Sequence, residues 1–310
     1  MTELIPVAAC IFIAFGIGAN DTSNALGISI GCGIIRLRKA LLLFGCFVLI
    51  GILLQGQKVM KTVGKDLLDV NPSIISISLS VAAFLIILSN WRKMPLSSTQ
   101  VIIGSLTGSG VASGVDINFL SIFRIILSWI ISPLVAFFTA LLLYKAMEKT
   151  ISKLSLFRIE KILRSLLLLS GILIAYNTGA NELATILGPV IHSGLIEKVR
   201  ASLIGSLFVM LGAVILSHRV IETIGKGITT LDPYSGFAAQ FGAGICVLFF
   251  SFLGMPVSTT YCIIGGISGV GMSKGMKTVK LDLIKKIMAN WILSPSLAFI
   301  ISFAIMKAIS

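Results

Sequence analysis

The sequence predicts an all-α polytopic membrane protein made of two inverted-topology repeats of about five crossings each, whose broken helices meet at a central site. Three observations carry this expectation. The chain of 310 residues is 56% hydrophobic and only 12% charged, with a mean hydropathy of +1.04, whereas a soluble domain carries about 25% charged residues. Its second half repeats its first in a single register. The acidic residues inside apolar segments, Asp21 and Glu182, occupy equivalent places in that repeat.

The apolar runs come first. Uncharged stretches at 40–57, 73–89, 125–144, 165–175 (continuing through a second polar motif), 201–217, 235–255 and 287–306 reach or approach spanning length, which is roughly 18 residues for a helix. Helices and closed barrels alone satisfy their backbone in lipid, so these runs are helices. Glu3 precedes the first run and no basic n-region is present, so the first helix is expected to be its own insertion signal. The net charge of +13 is read as basic cytoplasmic loops rather than a nucleic-acid surface. The five cysteines, Cys10, Cys32, Cys46, Cys246 and Cys262, have neither CxxC nor metal-type spacing and are expected to be small buried hydrophobes.

The duplication is explicit in the residues. A shift of 161 lays GANDTSNALG (18–27) on GANELATILG (179–188), and PLSSTQVIIGSLTGSGVASG (95–114) on PVSTTYCIIGGISGVGMSKG (256–275) with nine identities in twenty. The same shift lays Pro72 on Pro233, and a shift of 162 lays SWIISPLVAFF (128–138) on NWILSPSLAFI (290–300) with six identities in eleven. A repeat held in register over separate blocks sets the organisation: a first repeat at 1–147, a basic connector at 148–165 and a second repeat at 166–310. The connector region, KAMEKTISKLSLFRIEKILR, is expected on the cytoplasmic face, as an amphipathic helix lying on the membrane.

Loop charge orients the chain. With crossings at 4–31, 40–57, 73–90, 96–113 and 125–144, the loops bearing Arg36, Arg38 and Lys39, then Arg92 and Lys93, then the connector, share one side with Lys274, Lys277, Lys280, Lys285 and Lys286. Both termini are then outside, and an odd crossing number inverts the second repeat. Inverted repeats with broken helices are the architecture of secondary transporters.

The two buried acids suggest what the site holds. Asp21 and Glu182 each follow Gly-Ala-Asn and precede a glycine six residues later. Gly18 and Gly179 could interrupt the helix, and an unwound turn would expose carbonyl oxygens. With the carboxylates and the amides of Asn20 and Asn181, these suit a hard cation such as sodium. The second element, Ser97, Ser98 and Thr99 after Pro95, and its mate Ser258, Thr259 and Thr260 after Pro256, reads as two helix starts. Their N–H groups and hydroxyls suit an oxyanion of the phosphate type. The glycines behind them, Gly104, Gly108 and Gly110, and Gly265, Gly269 and Gly271, permit close helix packing. An oxyanion beside two carboxylates is repelled unless cations neutralise the set, which is a physical basis for symport.

GANDTSNALG with GANELATILG, and PLSST with PVSTT, resemble the paired signatures of the inorganic phosphate transporter family, over nearly the whole chain. The resemblance implies uptake of inorganic phosphate coupled to sodium or protons, no cofactor, a multi-pass protein of the cell membrane and a homodimer. It places Asn20, Asp21, Asn181 and Glu182 on the acidic signature, and Ser97, Ser98, Thr99, Ser258, Thr259 and Thr260 on the phosphate-contacting segments, with Asn20 and Asn181 expected to contact both sodium and phosphate. The chain departs from the family's pattern at Glu182, where aspartate is frequent, and at Gln100 and Tyr261, where histidine is frequent. A sulfate permease of the same family is one alternative. A cation exchanger with acidic inverted repeats is a second, and it leaves the duplicated Ser/Thr helix starts without a role. An intramembrane hydrolase using the two carboxylates is a third, for which no HExxH or GxSxG motif is present.

Overall fold

The computed structural model describes residues 4–92, 96–151, 156–227, 232–274 and 281–309, without the side chains at 90, 92, 151, 156–157, 216–227 and 281–288. The helices are α1 (Leu4–Gly31), α2 (Leu37–Lys61, continued by a π turn at Thr62–Asp66), α3 (Pro72–Arg92), α4 (Ser98–Ser113), α5 (Phe119–Ile151) and α6 (Leu156–Asn177). A π turn at Thr178–Leu183 joins α6 to α7 (Ala184–His192), followed by α8 (Lys198–Gly227), α9 (Pro233–Phe252), α10 (Thr259–Lys274) and α11 (Leu281–Ile309). The connector does not form a separate helix among the described residues, because its polar ends prolong α5 and α6.

The boundaries follow from local chemistry. Asn71 caps α3, its side chain accepting from the Ile74 N–H at 2.8 Å, and its repeat mate Asp232 caps α9, accepting from the Ser235 N–H at 2.9 Å. In both helices proline follows the cap, where its missing N–H costs nothing. Gly114 and Gly254 end α4 and α9 at φ of +70° and +77°, the left-handed region that favours glycine after a helix.

Seven of the described helices are long and apolar enough to cross a membrane. With 16 residues each, α4 and α10 are about 24 Å long and fall short of the roughly 30 Å of hydrocarbon. Each half therefore has the expected five helical segments, with the fourth too short to cross alone.

Large apolar side chains such as Phe12, Leu54, Phe84, Phe123, Leu142 and Ile292 are exposed, as a lipid-facing surface requires. Cys10, Cys246 and Cys262 are buried as expected, whereas Cys32 and Cys46 are exposed. Cys32 lies in the turn after α1, and Cys46 lies on the outer face of α2.

The two halves exchange contacts reciprocally. A Cβ on Gly18 would lie 1.8 Å from the Val209 carbonyl oxygen, and one on its mate Gly179 would lie 1.9 Å from that of Val48. Val48 and Val209 are themselves mates. Likewise Gly104 meets the Pro295 carbonyl while Gly265 meets that of Pro133, and Gly108 meets Phe299 while Gly269 meets Phe137. Thus α1 packs on α8 and the α6–α7 segment on α2, while α4 packs on α11 and α10 on α5. Gly104, Gly108, Gly265 and Gly269 permit this close packing as the small-residue pattern predicts.

One cap reports on pH. Burial pushes the Asp232 carboxyl up, but hydrogen bonds from Lys274 and Ser235 outweigh this and hold it below the ordinary carboxylate range. Its stabilisation is therefore complete above that ordinary range and is lost as pH falls through the lowered folded value. Asp232→Ala is expected to destabilise the protein by about 1 kcal/mol at neutral pH, the usual worth of such a cap. In thermal melts the gap from the native protein should close in acid, and a gap independent of pH would contradict this.

Candidate functional site

The first acidic motif lies in α1, which runs through residues 16–27 without interruption. The expected unwinding at Gly18 is absent because that glycine serves another need: it lets α1 cross α8 at backbone contact. In the second motif the helix does change, widening into the π turn Thr178–Leu183 that holds Gly179, Asn181 and Glu182. π turns of this kind are often found at functional sites.

Asp21 and Glu182 are 2% and 5% exposed, and they lie near enough for each to feel the other's charge. The Asn20 and Asn24 amides each donate to Asp21 Oδ1, at 3.2 and 3.1 Å. Ser98 at the start of α4 donates to Glu182 Oε2 at 3.4 Å, and Asn24 reaches Thr260 Oγ1 of α10 at 3.4 Å. Each acidic motif therefore faces the Ser/Thr motif of the other repeat. The symmetric bond from Thr259 to Asp21 is not made, and the Thr259 hydroxyl is buried without a partner. Aspartate is one methylene shorter than glutamate, which accounts for the difference.

Of the remaining hydroxyls, Ser97 and Ser258 act as caps, accepting from the Gln100 and Tyr261 N–H groups at 3.4 Å each. Pro95 lies outside the described residues. The linker before α10 is held by hydrogen bonds to its backbone from three side chains. Asn181 donates to the Met255 carbonyl at 3.0 Å and accepts from the Val257 N–H at 3.0 Å. Trp129 Nε1 donates to the Pro256 carbonyl at 2.9 Å, and Thr99 Oγ1 donates to the Val257 carbonyl at 3.3 Å. A third Asn181 bond goes to Ser251 Oγ at 2.8 Å. Asn181 thus braces the second helix start, whereas its mate Asn20 is exposed and beside Asp21.

The structure gathers Asn20, Asp21, Glu182, Ser98 and Thr260 around one place, with Thr259 near it in sequence and its hydroxyl unused. Asn20 is exposed, and Asn24, Ser98 and Thr260 are half-buried, so a polar face leads to the buried acids. Asn24 and Trp129 are additions to the residues expected from sequence. The first stands three residues after Asp21, on the same helical face; the second belongs to the repeated block at 128–138. Among the described residues no three His, Cys, Asp or Glu cluster in a way that could hold a metal ion. Amide, hydroxyl and carboxylate oxygens are donors for an alkali cation, and N–H and O–H groups at helix starts are donors for an oxyanion.

Comparison with known proteins shows what the chain as a whole is similar to. The model of the phosphate transporter family matches residues 17–158 and again 155–302. A candidate phosphate permease of Methanocaldococcus jannaschii is 38% identical over 298 residues, covering 96% of this chain and 95% of its own. The sulfate permease CysP of Bacillus subtilis is 31% identical over 312 residues, covering 98% of this chain and 87% of its own. A solved structure of a sodium-dependent phosphate transporter has the same fold, with a TM-score of 0.87 at 24% identity, covering 99% of this chain and 98% of its own.

Proposed function

This chain belongs to the phosphate transporter family, and from that premise we propose that it is a symporter taking up inorganic phosphate, coupled to sodium or protons by alternating access. The family is one of transporters rather than enzymes, which sets aside the hydrolase alternative. The observation that carries the reading is the pair of buried, neighbouring carboxylates, Asp21 and Glu182, flanked by Ser/Thr helix starts from opposite repeats.

The coupling follows from charge. One oxyanion charge held about 4 Å from an uncompensated carboxylate is repelled by about 4 kcal/mol at an effective dielectric of 20, close to a thousandfold in affinity. Sodium or protons bound first at Asp21 and Glu182, with Asn20 and Asn24, remove that repulsion. Ser98, Thr259 and Thr260 then offer hydroxyls, and the first turns of α4 and α10 offer N–H groups, to the oxyanion. Asn181, Ser97 and Ser258 fix those helix starts in place. In this reading the halves are inverted about the site, both termini are outside, and the protein is a homodimer in the cell membrane.

Uptake of labelled phosphate into proteoliposomes, with and without a sodium gradient and at several pH values, tests the proposal. Uptake indifferent to both would refute the coupling. Sulfate is the second reading, favoured by the similarity to CysP; competition by unlabelled phosphate, sulfate and arsenate in the same assay separates the two. A double variant probes the anion half alone. Thr259→Val with Thr260→Val is expected to raise the oxyanion KM at least tenfold and the sodium half-saturation less than threefold, as about 1.5 kcal/mol for lost hydrogen bonds to a charged group implies. Equal losses in both would indicate a packing fault instead.

A further inference from the structure

The linker that leads into the second Ser/Thr helix start is also held from its outer side. After α9 the chain turns at Gly254, whose N–H donates to the Ser251 carbonyl at 2.9 Å while the Met255 N–H donates to that of Phe250 at 2.9 Å. This turn rests on the last turn of α2: a Cβ on Gly254 would stand 3.2 Å from Lys58 Cβ, from the Lys58 carbonyl oxygen and from Thr62 Oγ1. The Lys58 ammonium lies over the Phe252 ring, 4.0 Å from its centroid. Among the described residues Lys58 has no carboxylate partner, whereas the nearby Lys61 pairs with Asp66 at 3.2 Å. The shift of 161 lays Arg219 on Lys58 and Trp91 on Phe252, so the sequence carries a cation and an aromatic ring twice in one register. The side chain of Arg219 lies outside the described residues.

We propose that Lys58 is a positioning residue that clasps the α9–α10 linker to α2 through the Phe252 ring and so holds the second Ser/Thr helix start at the site. The ring face attracts the ammonium electrostatically, and the glycine at the turn lets the two backbones touch. The clasp completes the inner bonds from Asn181, Trp129 and Thr99, tying the linker on both sides. The kinetic consequence rests on the oxyanion-transport reading; the structural one does not. A lysine acting only by drawing anions to the surface would depend on its charge and not on the ring beneath it, so substitution of Phe252 separates the two roles.

The test is hydrogen exchange of the backbone amides of Val257–Ile263 in the full chain in nanodiscs, alongside phosphate uptake in proteoliposomes. Lys58→Gln and Phe252→Leu are each expected to speed exchange about two- to fivefold, the worth of an exposed cation–π contact. The double variant should be no faster than either single one, and Lys58→Arg should match the native protein. The phosphate KM should rise by a similar factor with kcat unchanged, as when a binding-competent arrangement becomes less populated. Native exchange rates in either single variant overturn the clasp. Faster exchange with an unchanged KM overturns the positioning role, as does a raised KM in Lys58→Gln with Phe252→Leu silent. If the native chain takes up neither phosphate nor sulfate, the transport reading has failed and the exchange rates alone decide on the clasp.

Discussion

Glu182→Gln and Asp21→Asn are each expected to abolish sodium- or proton-driven uptake, by at least a hundredfold, while leaving normal amounts of protein in the membrane. Both substitutions preserve side-chain shape and remove the charge that a coupling cation meets in the proposed mechanism. On that proposal each leaves the cation with one anionic ligand instead of two, in a place where both acids are buried. Folding should survive, because the amides can still hydrogen-bond to Asn20, Asn24 and Ser98. Glu182→Asp should fall between, since the shorter chain withdraws the carboxylate from Ser98, now at 3.4 Å. Labelled phosphate uptake at graded sodium concentrations measures all three, and native uptake in the first two would remove these acids from the mechanism.

The other large effect concerns assembly. Gly179→Ala and Gly18→Ala are each expected to lower the yield of folded protein severely, because the new Cβ would enter the carbonyl groups of Val48 and Val209 at 1.9 and 1.8 Å. Backbone on both sides cannot swing away as a side chain can, so whole helices must separate. Overpacked cores typically lose about 1–3 kcal/mol, and the displacement here also breaks the alignment of the acids, which lie three residues along the same motifs. Gly31→Ala is the control: nothing lies within 4 Å of a Cβ there. Size-exclusion profiles and melting temperatures in detergent decide the matter, and equal behaviour of all three variants would show that the crossings relax easily.

Much of this was legible in the residues. Asp21 and Glu182 announced themselves by rarity and by register, and the small-residue stripes of α4 and α10 by spacing. The duplication itself implied that every contact would recur. What stayed hidden was the direction of each contact across the repeats. That Gly18 supports a crossing rather than a break depends on where α8 lies, and a single motif does not record its distant partner. The different fates of Asn20 and Asn181 have the same origin: identical triplets meet different neighbours, a polar opening in one case and the Met255–Val257 backbone in the other. The length of α10 was obscured because Met255 and Val257, on either side of Pro256, continue its apolar pattern through non-helical chain before the cap.

The exchange of partners between halves also bears on how the molecule is made. The principal neighbour of α1, which ends at Gly31, is α8, which begins at Lys198. At typical synthesis rates of about 5–20 residues per second, α1 therefore waits roughly 8–33 s in the bilayer before its mate is translated. For most of that interval Asn20, Asp21 and Asn24 have no second acidic motif beside them, and α10 follows later still. Completion comes with the last helices, when α10 settles on α5 and α11 on α4, so the protein gains its native architecture late and as a whole.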